Sequence, residues 1–139
     1  MKLLILYGTT EGQTRKIAHF MEVFFQNAGY QVTIADSTAN PPSPKEFDAI
    51  LIGSSIHMHK YHTAINHYIK KHVEDLNLMP GAFFSVSLAA ASEMEEEHLE
   101  VQKITNEFLE QTGWKPLMTT QIAGALKYTE YDYFKRQFV

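Results

Sequence analysis

The sequence predicts a three-layer α/β sandwich built on a five-stranded parallel sheet. Short apolar runs alternate with amphipathic stretches along all 139 residues, and strands joined through helices run parallel, because a right-handed crossover returns the chain to the same edge. The apolar runs are continuous, as in strands covered on both faces. With 45% apolar and 20% charged residues, residues 1–139 are expected to form one domain with its own core.

The first strand is "KLLILY" (2–7). Ile17, Phe20, Met21, Phe24, Phe25 and Ala28 then recur at helical spacing, and Gly29 is placed to end that helix. "YQVTIAD" (30–36) is a second strand, and the prolines of "STANPPSPKEF" (37–47) disfavour helix. "DAILIGS" (48–54) is a third strand. A helix over 61–75 carries Ala64, Ile65, Tyr68, Ile69 and Val73 as its stripe. "GAFFSVSL" (81–88) is a fourth strand. Ser92 and Glu95 fit a capping box opening a helix to about 111, which buries Met94, Val101, Ile104 and Phe108 and stops at Gly113. "LMTTQIAGAL" (117–126) is the fifth strand, and an aromatic tail of mixed charge, "KYTEYDYFKRQFV", follows.

Composition excludes several classes. Without cysteine there is no disulfide, thiolate metal site or cysteine nucleophile. A net charge of −4 gives no electrostatic case for nucleic acid. "MKLLILYG" is too short for a signal peptide, and no apolar run spans a bilayer, so the cytoplasm is the expected compartment.

In parallel sheets ligands bind beyond the C-terminal strand ends. Segments 8–14, 54–62 and 85–92 leave those ends. The first reads "GTTEGQT". A triphosphate loop would place its glycines one residue further apart and a Lys where Gln13 stands; a dinucleotide fingerprint would have Gly in place of Thr10. Asp36 at the end of the second strand reads as a turn residue rather than a ribose ligand. What remains is a loop with Thr9, Thr10 and Thr14 entering a helix N-terminus, which suits a single phosphate, or a plain strand-to-helix turn with threonine caps.

"ILYGTTEGQTRKIA" resembles the flavodoxin signature. That resemblance implies a flavodoxin-like fold, strand order 2-1-3-4-5, with FMN bound non-covalently. Thr9, Thr10, Glu11, Gly12, Gln13 and Thr14 would wrap its phosphate. Loops carrying Ser54, Ser55, Ile56 and His57, and Ser85, Val86, Ser87 and Leu88, would flank its ring. A carrier flavodoxin would be strongly acidic, with an aromatic stacked on the flavin and a glycine–aspartate loop after the fourth strand. Here the single Trp, Trp114, lies away from the site, and "SVSLAAASEMEEE" replaces that loop. Electron transfer without a substrate of its own is therefore the alternative reading.

"LIGSSIHMHKYHTAINHYIKKH", "LNLMPGAFFSVSLAA" and "IAGALKYTEYDYFKR" resemble the quinone-dependent protoporphyrinogen oxidases of bacterial haem synthesis. The resemblance implies hydride transfer from a porphyrinogen to flavin and electron transfer to a membrane quinone. Lys60, Lys127, Lys135 and Arg136 become candidates for the substrate's propionates, and the tail could rest on the inner membrane surface. The family pattern continues past Val139 with a basic-aromatic insert and a final helix. An apolar sheet face left without that helix would favour a homo-oligomer.

Five of the seven histidines fall between 57 and 72. "HMHKYH" resembles a zinc motif but has Tyr61 where the motif has Asp, so no metal is expected. His57 and His59 are instead candidate hydrogen-bond donors or proton relays beside the flavin, whereas His67 and His72 are expected to face solvent.

Overall fold

A computed structural model describes residues 1–9, 12–87, 89 and 93–123. The chain order is β1 (Lys2–Gly8), α1 (Gln13–Asn27), β2 (Gln31–Asp36), β3 (Ala49–His57), β4 (Lys60–Tyr61), α2 (Thr63–Leu76), β5 (Gly81–Ser87), α3 (Glu95–Thr112) and β6 (Met118–Ala123). Five strands pair in parallel in the order β2-β1-β3-β5-β6, and β4 pairs antiparallel with β3. Counting parallel strands alone, this is the expected 2-1-3-4-5 sheet.

Alternation along each strand divides the core. Leu3, Ile5 and Tyr7 pack with Ile17, Ala18 and Met21 of α1 on one face. Leu4, Leu6, Ile50, Ile52 and Phe83 pack with Ile65, Ile69 and Phe108 of α2 and α3 on the other. Leu4, Ile5 and Leu6 are all fully buried, which explains why β1 is apolar throughout. Each such side chain contributes about 1.5–3 kcal/mol relative to exposure.

The element ends follow from backbone chemistry. Gly29 (φ 97°) and Gly113 (φ 79°) sit just past α1 and α3 in the left-handed region that a glycine reaches without steric cost. Between β2 and β3 the proline-rich stretch makes only a 3-10 turn, Pro44–Glu46, capped by Ser43. It is held to α2 by the Tyr68 hydroxyl, which donates to the Pro42 carbonyl at 2.8 Å.

Three expectations are corrected. Helix α3 is capped by Met94, which makes no side-chain cap and is 56% exposed rather than buried, because it precedes the helix; Glu95, Glu96 and Glu97 complement the helix dipole instead, and Ser92 lies outside the described residues. His72 is half-buried at a non-helical position within α2 (φ −114°, ψ 17°). Its ring lies 4.6 Å from that of Tyr68, and burial, followed by neighbouring Lys71, lowers its pKa. Strand β3 continues three residues beyond the expected end at Ser54, with consequences for the site.

Candidate functional site

Register gathers the site. Gly8 pairs with Ser54, Ser54 with Ser85, and Ser85 with Gln121, so the segments after β1, β3 and β5 leave one edge of the sheet together. Gly8, Ser54 and Ser85 form a row of small residues on the α2–α3 side, and their smallness has a use. A Cβ on Gly8 would lie 2.7 Å from Ile65 Cγ1 and 2.8 Å from His62 Cβ. Ser54 Oγ accepts the backbone N–H of His62 at 2.9 Å. The Tyr61 hydroxyl lies 2.9 Å from Ser85 Oγ and 2.6 Å from Thr105 Oγ1. Burial raises the Tyr61 pKa, and the two hydroxyl contacts oppose that effect.

This row seats a hairpin. Strand β3 runs to His57 and turns through Met58 (φ 51°) and His59 (φ 63°) into Lys60. Two consecutive positive φ angles make a type I′ turn, the connection whose twist matches a two-residue hairpin. Non-glycine residues pay for that conformation with roughly 1–2 kcal/mol each, a cost tolerated where surrounding contacts over-determine the backbone. Those contacts are the β3–β4 pairs, the buried Tyr61 hydroxyl and a 3.9 Å approach of His59 Nδ1 to Glu100. Met58 remains 80% exposed.

The β1–α1 loop is closed by Gly12, whose φ of 86° requires glycine and whose N–H donates to Thr9 Oγ1 at 2.9 Å. Gln13 and Thr14 open α1. Thr14 is 0% exposed, and its hydroxyl has no partner. Six buried side-chain polar atoms among the described residues lack partners, and those of Thr14, Ser37, His62, Ser87 and His98 belong to segments at this edge. Buried polar groups are rarely left unpaired. Their concentration makes this edge the candidate ligand site, whereas Trp114 Nε1, the sixth, lies at the opposite end beside Gly81.

The expected site residues sort accordingly. Thr9, Gly12, Gln13 and Thr14 share one loop, and Ser87 meets the edge with an unpartnered hydroxyl. His57, His59 and Lys60 are exposed on the hairpin. The side chains of Ser54, Ser85 and Val86 are buried in the sheet, so a ligand at the edge meets their backbone at most. Ile56 is half-buried against the α2–α3 core, and Ser55 is half-buried beside it. Among the described residues no three His, Asp or Glu side chains converge on a metal position. Asp36 is occupied in its own turn, accepting from Thr38 N at 2.8 Å and Thr38 Oγ1 at 2.7 Å. Thr10, Glu11, Leu88, Lys127, Lys135 and Arg136 lie outside the described residues. Sequence reading missed Tyr61 and His62 as the residues that hold the hairpin. The available signal was a small residue at the end of each of three neighbouring strands.

A parallel sheet of this order, with its polar orphans gathered at the C-terminal edge, defines a flavodoxin-like domain, and residues 4–139 match the family model described as flavodoxin domain. The chain is 36% identical over 137 residues to protoporphyrinogen IX dehydrogenase [quinone] of Escherichia coli (strain K12), covering 98% of this chain and 75% of that protein. It is 31% identical over 140 residues to the protein of the same name from Leishmania major, covering 99% and 60%. The chain belongs to the flavodoxin-domain family and, within it, to the family of these dehydrogenases. Among solved structures, oxidised flavodoxin 1 from Bacillus cereus superposes with a TM-score of 0.67 at 17% identity, over 97% of this chain and 91% of that one. Fusobacterium nucleatum flavodoxin bound to flavin mononucleotide superposes with a TM-score of 0.59 at 13% identity, over 84% and 68%. Both likenesses concern the fold.

Proposed function

We propose that this chain is an FMN-dependent oxidoreductase that withdraws hydrogen from protoporphyrinogen IX and passes the electrons to a quinone. The observation that carries this reading is its 36% identity to the Escherichia coli dehydrogenase over 98% of the chain, a span that includes all three segments meeting at the site edge. The unpartnered Thr14 hydroxyl supports the cofactor half of the reading. It is fully buried in the first turn of α1, where free backbone N–H groups and the helix dipole favour an anion.

Thr9 to Thr14 would hold the phosphate, with Gly12 letting the backbone turn around it. The backbone at Ser54–His57 and Ser85–Leu88 would flank the ring, and the Ser87 hydroxyl would meet it. When bound, the flavin supplies hydride acceptance and electron delivery to the quinone. The protein positions the substrate and accepts the proton released with each hydride; His57 and His59, exposed on the hairpin, are the proposed acceptors. Lys60, with Lys127, Lys135 and Arg136, would attract the substrate's propionates.

Among the described residues no helix is long and apolar enough to cross a membrane. Access to a membrane quinone is accordingly assigned to peripheral contact at the inner membrane surface. The test is porphyrin fluorescence with purified protein, FMN, protoporphyrinogen IX and a quinone. The proposal expects porphyrin to form faster than in a protein-free control, and only with FMN present. Protein that binds FMN but leaves the rate at the control value would instead be an electron carrier. Protein that binds no FMN would overturn both redox readings.

A further inference from the structure

Beside the hairpin, α2 and α3 diverge around a groove of about 540 Å³. At its hairpin end stand Lys60 and His59, whose Nδ1 lies 3.9 Å from Glu100 of α3. At its base lie Tyr61 and Phe108, with ring centroids 4.8 Å apart and both largely buried, while most of the lining is polar. The α2 wall is basic. Thr63, His67 and Lys70 recur at i, i+4 and i+7, so they share one face over roughly 10 Å of helix. The α3 wall contributes one carboxylate, Glu107. Among the described residues, neither Lys60 nor Lys70 forms an ion pair within 4.0 Å.

Two unpaired lysines in a mostly polar groove suit the carboxylate arms of a ligand rather than its ring. We infer that this groove is a carboxylate-recognition site, in which Lys60 and Lys70 hold the propionates of the tetrapyrrole. The inference rests on the proposed function. It adds a location for the substrate's acidic end and a second lysine, Lys70. The hairpin is the wall shared by the groove and the flavin edge, so a macrocycle anchored by its propionates reaches past Met58 and His59 towards that edge. Glu107, facing the cations, opposes dianion binding and should limit affinity.

Binding without turnover tests the site. Protoporphyrin IX and its dimethyl ester, which has the same ring without the charges, are titrated against the flavin-loaded chain by quenching of protein fluorescence. Lys60→Gln and Lys70→Gln should each weaken the free acid roughly two- to fivefold, the size of one charge-assisted contact at an exposed position, and leave the ester unchanged. Glu107→Gln should tighten the free acid, an outcome that structural damage would not produce. The inference is overturned if the lysine variants bind the acid like the parent, or lose acid and ester equally. A chain that discriminates acid from ester through these lysines but never oxidises porphyrinogen would refute the proposed function and leave the site standing.

Discussion

Thr14→Val separates a ligand-binding hydroxyl from a structural one. Valine keeps the shape of threonine and replaces the hydroxyl by a methyl. That hydroxyl is fully buried without a protein partner, a condition that costs about 1–3 kcal/mol where no ligand supplies the bond. Its removal should therefore stabilise the flavin-free chain, raising Tm by about 3–5 °C for each kcal/mol gained. With FMN present the sign reverses. A hydrogen bond to a charged phosphate contributes about 1.5–3 kcal/mol, so its loss should raise the Kd roughly 10- to 150-fold. The assay pairs thermal melts of flavin-free protein with an FMN titration followed by quenching of flavin fluorescence. A variant that melts lower than the parent while binding FMN equally well would refute the reasoning, because the hydroxyl would then serve the fold.

Gly8→Ala should drive a Cβ into Ile65 and His62 at 2.7–2.8 Å, costing about 1–3 kcal/mol by denaturant melt and weakening FMN by displacing the phosphate loop. Tyr61→Phe leaves Ser85 Oγ without its tyrosine partner, while Thr105 keeps its bond to the Val101 carbonyl. A loss of about 1–3 kcal/mol is expected, together with collapse of amide-exchange protection across Ile56–Tyr61. The folded-state pKa of His72 is lowered by burial and then by Lys71, so below about pH 6.5 the unfolded chain binds the proton more readily than the folded one. Stability should be complete above that pH and decline as the pH falls towards the folded value, and melts of His72→Gln should show a shallower decline.

The fold was legible because its signals are local. Continuous apolar runs such as "LLIL" in β1 require cover on both faces, and Gly113 ends α3 where its αL backbone requires glycine. The β1–α1 turn was legible as well, and its proposed role as a phosphate loop rests on elimination, since Gln13 and Thr10 exclude the larger nucleotide templates. The hairpin was not. A two-residue β4 carries no period, and Met58 and His59 occupy positive φ where sequence would lead one to look for Asn-Gly. The burial of Ser54 and Ser85 was hidden for another reason. Which side of a strand end a serine faces depends on register with its neighbours, and register is fixed by the whole sheet rather than by residues nearby. Ser54 and Ser85 are therefore expected to flank the flavin ring, although each hydroxyl holds the Tyr61–His62 segment in place.

The most direct measurement of the central claim is the flavin spectrum under anaerobic mixing. FMN-loaded protein is mixed with protoporphyrinogen IX, and a quinone is added afterwards. The account predicts that the visible absorbance of oxidised flavin bleaches on mixing and returns with the quinone. Flavin that stays oxidised in the presence of excess porphyrinogen would contradict it.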